Sequence, residues 1–133
     1  MRIITREASI LVLLALICVT LTHARDYAVR RKADAYTVDI AINRNPPVTG
    51  KNEIRIEIKD PSGKYIAGVP VSVNYYMPPM PGMPPMNYTV NASPSGDGYS
   101  ATMDLIMAGP WNIIIKTVVA GKQLKVATPI DVR

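Results

Sequence analysis

Glu53-Ile54-Arg55-Ile56-Glu57-Ile58-Lys59 decides the fold. Isoleucine at every second position, with a charged residue between each, turns one face of an extended chain to an apolar interior and the other to water. A helix would scatter the same isoleucines around its girth. The same period returns upstream, where Tyr36 to Asn43 sets Val38, Ile40 and Ile42 on one face before Asn45-Pro46-Pro47-Val48-Thr49-Gly50 stops it. Downstream, Asp60-Pro61-Ser62-Gly63 has proline at the second turn position and glycine at the fourth, the pattern of a type I turn.

Five more extended segments follow. Val69 to Tyr76 alternates Val69, Val71, Val73 and Tyr75 against Ser72, Asn74 and Tyr76, and Asn87 to Ala92 is extended in turn. After Ser93-Pro94-Ser95-Gly96-Asp97-Gly98, the run Tyr99 to Ile106 places Ala101, Met103 and Leu105 together. Met107-Ala108-Gly109-Pro110 breaks it, and Trp111 to Val119 aligns Trp111, Ile113, Ile115 and Thr117. Ala120-Gly121 suits a short hairpin turn before Gln123 to Val132, whose Leu124, Val126, Thr128, Ile130 and Val132 face inward. Pro129 makes this last segment an edge strand or marks a bulge. Seven short strands without a helical stretch predict an all-β chain, an immunoglobulin-like antiparallel β-sandwich of about seven strands with Trp111 in its core.

The sandwich is expected over residues 36–133, as one domain. Arg2 and Arg6 precede an apolar run of about 14 residues from Ala8 to Leu21, and Ala24 is a small residue before Arg25. Residues 1–24 thus have the pattern of a signal peptide cleaved after Ala24; as an uncleaved anchor, their basic end would keep the N-terminus in the cytoplasm and the domain outside. Residues 25–35, with Arg30-Arg31-Lys32, read as a polar lead-in linker, or as a cluster that meets anionic lipid or an acidic partner.

Cleavage would remove Cys18 and His23, the single cysteine and the single histidine. The remaining chain has no means to form a disulfide, an ordinary zinc site, or a Cys or His nucleophile or base, and no carboxylate pair stands out, so an enzyme is not expected. Loss of Arg2, Arg6 and Glu7 takes 15 basic and 10 acidic residues to 13 and 9, still cationic. The basic residues are scattered, and nucleic acid is not indicated as a partner.

One stretch lies outside this pattern: Met77-Pro-Pro-Met80-Pro-Gly-Met83-Pro-Pro-Met86, with methionine at every third position. Its prolines cannot supply a helix or a sheet ladder. A polyproline II rod would line the thioethers along one edge, roughly 9 Å apart at the backbone, so that two share an ion but four do not. Bringing all four together requires a reversal at Gly82. Soft thioethers select Cu(I), which makes Met77, Met80, Met83 and Met86 candidate metal ligands. A protein-docking surface and plain packing remain open beside that reading, since methionine serves both.

The order of strand, Asp60-Pro61-Ser62-Gly63 turn, Val-rich strand, Met/Pro/Gly loop, Gly96-Asp97-Gly98-Tyr99 and Met107-Ala108-Gly109-Pro110-Trp111 resembles the YtkA-like and FixH-like group of small exported bacterial domains. The resemblance spans Tyr36 to Arg133. It implies an immunoglobulin-like sandwich in the periplasm or cell envelope, engaged in copper handling or respiratory oxidase assembly with a membrane-bound copper or oxidase-assembly protein as partner. The methionine stretch is also similar to segments of CopC-type copper-resistance proteins, which add histidines for Cu(II). After cleavage this chain has none, which leaves Cu(I) or Ag(I) and the four methionines. Membrane contact is then expected only through an uncleaved N-terminal segment.

Overall fold

The computed structural model describes residues 27–133, and the signal or anchor segment expected over residues 1–24 lies outside them. Among the described residues, nine antiparallel strands form two sheets: β1 (Tyr27–Ala33), β2 (Tyr36–Ile42), β3 (Gly50–Lys59), β4 (Val71–Met77), β5 (Met86–Asn91), β6 (Ser93–Ser95), β7 (Gly98–Leu105), β8 (Gly109–Val119) and β9 (Lys122–Val132). One sheet runs β1-β2-β3-β7-β6 and the other β5-β4-β8-β9. The fold is an immunoglobulin-like antiparallel β-sandwich.

The inward rows meet as their alternation demands. Ile54, Ile56 and Ile58 of β3 are fully buried beside Val38, Ile40 and Ile42 of β2. Opposite them, Val71, Val73 and Tyr75 of β4, Trp111, Ile113 and Ile115 of β8, and Leu124, Val126 and Ile130 of β9 close the interior. Each such side chain contributes about 1.5–3 kcal/mol by leaving water, so this double layer holds a chain with no disulfide among its described residues.

Polar groups tie the connections. Gly63 N–H donates to Asp60 O at 2.9 Å, closing the expected turn. The Asp60 carboxylate accepts from the Ser62 hydroxyl at 2.6 Å and from the Ser62 and Lys64 amides at 2.9 Å each, which hold it below the usual carboxylate range. The crossing from β3 to β4 is pinned by Tyr99, whose hydroxyl donates to Ile66 O at 3.0 Å and accepts from Val69 N–H at 3.2 Å. Asn52 is fully buried yet satisfied, donating to Val48 O at 2.6 Å and Gly50 O at 3.0 Å. Two residues, Ala120 and Gly121, join β8 to β9.

Two strands depart from the sequence expectation, and the polar lead-in linker expected over residues 25–35 is corrected by one of them. From Tyr27 it is β1, paired with β2 from Tyr27↔Ile42 to Ala33↔Tyr36. Its inward row is Tyr27, Val29, Arg31 and Ala33, and the arginine in that row conceals the alternation. Arg31 lies at the rim, where its guanidinium donates to Ala127 O at 3.4 Å and Thr128 Oγ1 at 3.3 Å. β6, expected as part of a turn, pairs with β7 from Ser93↔Ser100 to Ser95↔Gly98.

Arg30 fastens β1 from outside: its Nε donates to Asp39 Oδ1 at 2.7 Å, while Lys59 Nζ lies 3.3 Å from Asp39 Oδ2. The hydrogen bond from Arg30, followed by the contact with Lys59, holds the Asp39 carboxyl below its ordinary value. A carboxyl whose folded pKa is lowered adds stability above its unfolded pKa and loses it as pH falls through the folded value. Asp39→Asn should therefore cost about 0.5–1 kcal/mol at pH 7 and nothing once the pH lies well below both values, the ceiling set by the exposure of the pair. Urea unfolding at both pH values measures the difference, and an equal loss at both would refute the assignment.

Candidate functional site

The methionine stretch is the β4–β5 hairpin. Met77↔Met86 is the last cross-strand pair, and residues 78–85 leave the sheet. Five prolines there remove donors, leaving Met80, Gly82 and Met83 with the only amide hydrogens of the loop. Met83 N–H donates to Met80 O at 3.1 Å. With Pro81 at the second position and Gly82 at φ 76° at the third, this is a type II turn. The straight rod is thus not the form adopted; two Pro-Pro arms run out and back across a reversal at Gly82.

The reversal brings the four candidate ligands around one cleft, lined by Met77, Met80, Met83, Met86 and the prolines of both arms. Its free volume is about 10 Å³, the scale of a single water-sized sphere. Such a cleft is too small for an organic ligand. The methionines form a gradient: Met77 is 5 % exposed and part of the core, Met83 and Met86 are half-buried, and Met80 at the apex is 40 % exposed. No charged residue occurs from Tyr65 to Gly96, so the sulfurs sit in a neutral stretch. Among the described residues no group of three or more His, Cys, Asp or Glu could hold a metal. A metal at this cleft would be held by sulfur.

The ground beneath the hairpin is aromatic and tightly fitted. Tyr75 lies 5.5 Å from Tyr88 and 6.1 Å from Trp111 between ring centroids, and Tyr88 stacks on Trp111 at 6.5 Å. Trp111 is fully buried, and its Nε1–H donates to Met107 O at 2.9 Å. Met77 reaches across to the start of β8, where a Cβ built on Gly109 would stand 3.3 Å from its Cε. The β7–β8 connection therefore shares this end of the sandwich with the hairpin. Met107 there is half-buried against the core, and Met103 is fully buried away from the cleft.

Sequence reasoning identified the four methionines and the need for a reversal. It missed Gly109, which it took only as a strand breaker. Its one signal is a glycine at the head of a strand, where φ 125° and a close neighbour both exclude a side chain. Asp97 and Asp104 are both exposed, the first at the β6–β7 turn and the second near the C-terminal end of β7, where its amide donates to Tyr75 Oη at 3.3 Å.

A family model described as YtkA-like matches residues 30–116, from within β1 to within β8 and including the whole hairpin. No curated protein matches the chain.

Two substitutions separate the turn from its footing. Gly82→Ala meets no neighbour but forces a side chain into the left-handed region, and should cost about 1 kcal/mol while leaving the core intact. Gly109→Ala is strained in the same way and also displaces Met77, so it should cost about 1–3 kcal/mol and perturb Trp111 fluorescence. Thermal denaturation with fluorescence detection checks both, and equal effects would contradict the fit of Met77 against Gly109.

Proposed function

The chain belongs to the YtkA-like family, and from that premise we propose that it is a non-catalytic protein of the periplasm or cell envelope that binds or relays Cu(I) through Met77, Met80, Met83 and Met86. The observation that carries this reading is the type II turn at Gly82, which brings all four methionines to the lining of one small cleft. Thioether sulfur is soft and uncharged, matching Cu(I) and Ag(I) over hard or borderline cations. Met80 at the apex is the ligand an incoming ion or an accepting protein meets first, and Met77, seated in the core, forms the floor. A membrane-bound copper carrier or an oxidase-assembly protein is the partner this role requires.

A second reading uses the same hairpin without metal, as a stiff docking tip for a membrane complex. It is favoured by the exposure of Met80 at 40 % and Tyr88 at 37 % and by prolines that limit the entropy lost on ordering the loop.

Competition for Cu(I) against a chromophoric chelator distinguishes the two. Replacing all four methionines by leucine preserves side-chain volume, so the variant should fold at a cost of under about 1.5 kcal/mol per site. It should lose affinity by about 100-fold or more, a difference of ~2.7 kcal/mol. Because no thioether gives up a proton on binding, wild-type affinity should be nearly flat from about pH 5 to 8. Equal competition by the two proteins would end the copper reading, and intact capture of a membrane complex by the leucine variant would support docking.

A further inference from the structure

We propose that β5 is a self-association edge, at which two copies of the chain pair β5 with β5 antiparallel about a twofold axis at Thr89. Which backbone groups are free follows from the register. Ala92 N–H donates to Val71 O at 2.9 Å, and at the same two-residue spacing Val90 faces Val73, Tyr88 faces Tyr75 and Met86 faces Met77. These residues turn their amides and carbonyls toward β4, so Asn87, Thr89 and Asn91 turn theirs away from it. All three are exposed.

The other sheet edges carry the features that stop strand addition. β9 contains Pro129 and is overlaid by β1, with Tyr27 Oη donating to Pro129 O and Arg31 Nε to Ala127 O, each at 3.4 Å. β1 bears Arg30, Arg31 and Lys32, and β6 is three residues long with Pro94 at its centre. β5, Met-Asn-Tyr-Thr-Val-Asn, has no charge, no proline and an unbroken register with β4.

A second copy is the occupant this edge fits. With the axis at Thr89, the free groups of Thr89 meet their own equivalents, and Asn87 of each copy faces Asn91 of the other. On the inner face Tyr88 falls opposite Val90 in both halves, an aromatic and β-branched pair of the kind that stabilises neighbouring strands. Two cationic chains would meet here through their longest uncharged segment, Tyr65 to Gly96. The β5-β4-β8-β9 sheet would become continuous across the pair, with the methionine hairpins at opposite ends and both clefts open, so the association does not depend on the copper reading.

Sedimentation equilibrium on the protein as the producing cell leaves it, with the N-terminus defined by mass, tests the pairing. The wild type should be dimeric at about 100 μM and dissociate toward about 1 μM. Thr89→Pro removes an amide hydrogen that faces away from β4, so the variant should keep its thermal midpoint and sediment as a monomer. Thr89→Lys sets two ammonium groups together at the axis and should raise the dimer dissociation constant at least about tenfold; it decides the matter if the proline variant fails to fold. A wild type that stays monomeric at about 100 μM, or a dimer that survives either substitution in a folded protein, overturns the proposal.

Discussion

One backbone hydrogen bond determines whether the hairpin tip folds back on itself or extends. Between Met77 and Met86 the chain must reverse with almost no donors, and the bond from Met83 N–H to Met80 O is what turns it. Without that reversal the stiff Pro-Pro arms would extend, and with methionines roughly 9 Å apart at the backbone two could share an ion but all four could not. Pro81 sets the first half of the turn, and Gly82 supplies the positive φ that the second half demands.

The scaffold fixes where this turn stands. Met77 ends β4 as a core residue, packed against the opening left by Gly109, while Tyr75, Tyr88 and Trp111 form an aromatic bed below. Met77 is therefore held by the same packing that holds the sandwich, and the exposure of the methionines rises toward Met80 as the loop leaves that support. The hairpin combines a buried inner methionine with an exposed outer one, the combination that the proposed Cu(I) role calls for.

Much of this was legible in the chain because the governing patterns are local. Period-two alternation marked β2, β3, β4, β8 and β9, and their inward residues are the buried ones; Pro129 does lie on an edge strand. Asp60-Pro61-Ser62-Gly63 and Gly82 turn where their chemistry requires. β1 was hidden because its inward row includes Arg31, whose position at a rim, with its charge spent on the edge of β9, depends on an unforeseeable tertiary contact. β6 was hidden because three residues with a proline carry no alternation. The neighbourhood of Met77 and Gly109, distant in sequence, likewise follows only from the pairing of β4 with β8.

The central claim is that the four hairpin sulfurs act as one ligand set. Titration of Ag(I) into protein carrying carbon-13-labelled methionine methyl groups, followed by NMR, addresses it directly. The methyl signals of Met77, Met80, Met83 and Met86 should move together and saturate in a single step, with Met103 unmoved in the core. Signals that stay still, or that shift one by one as separate weak sites, would contradict the account.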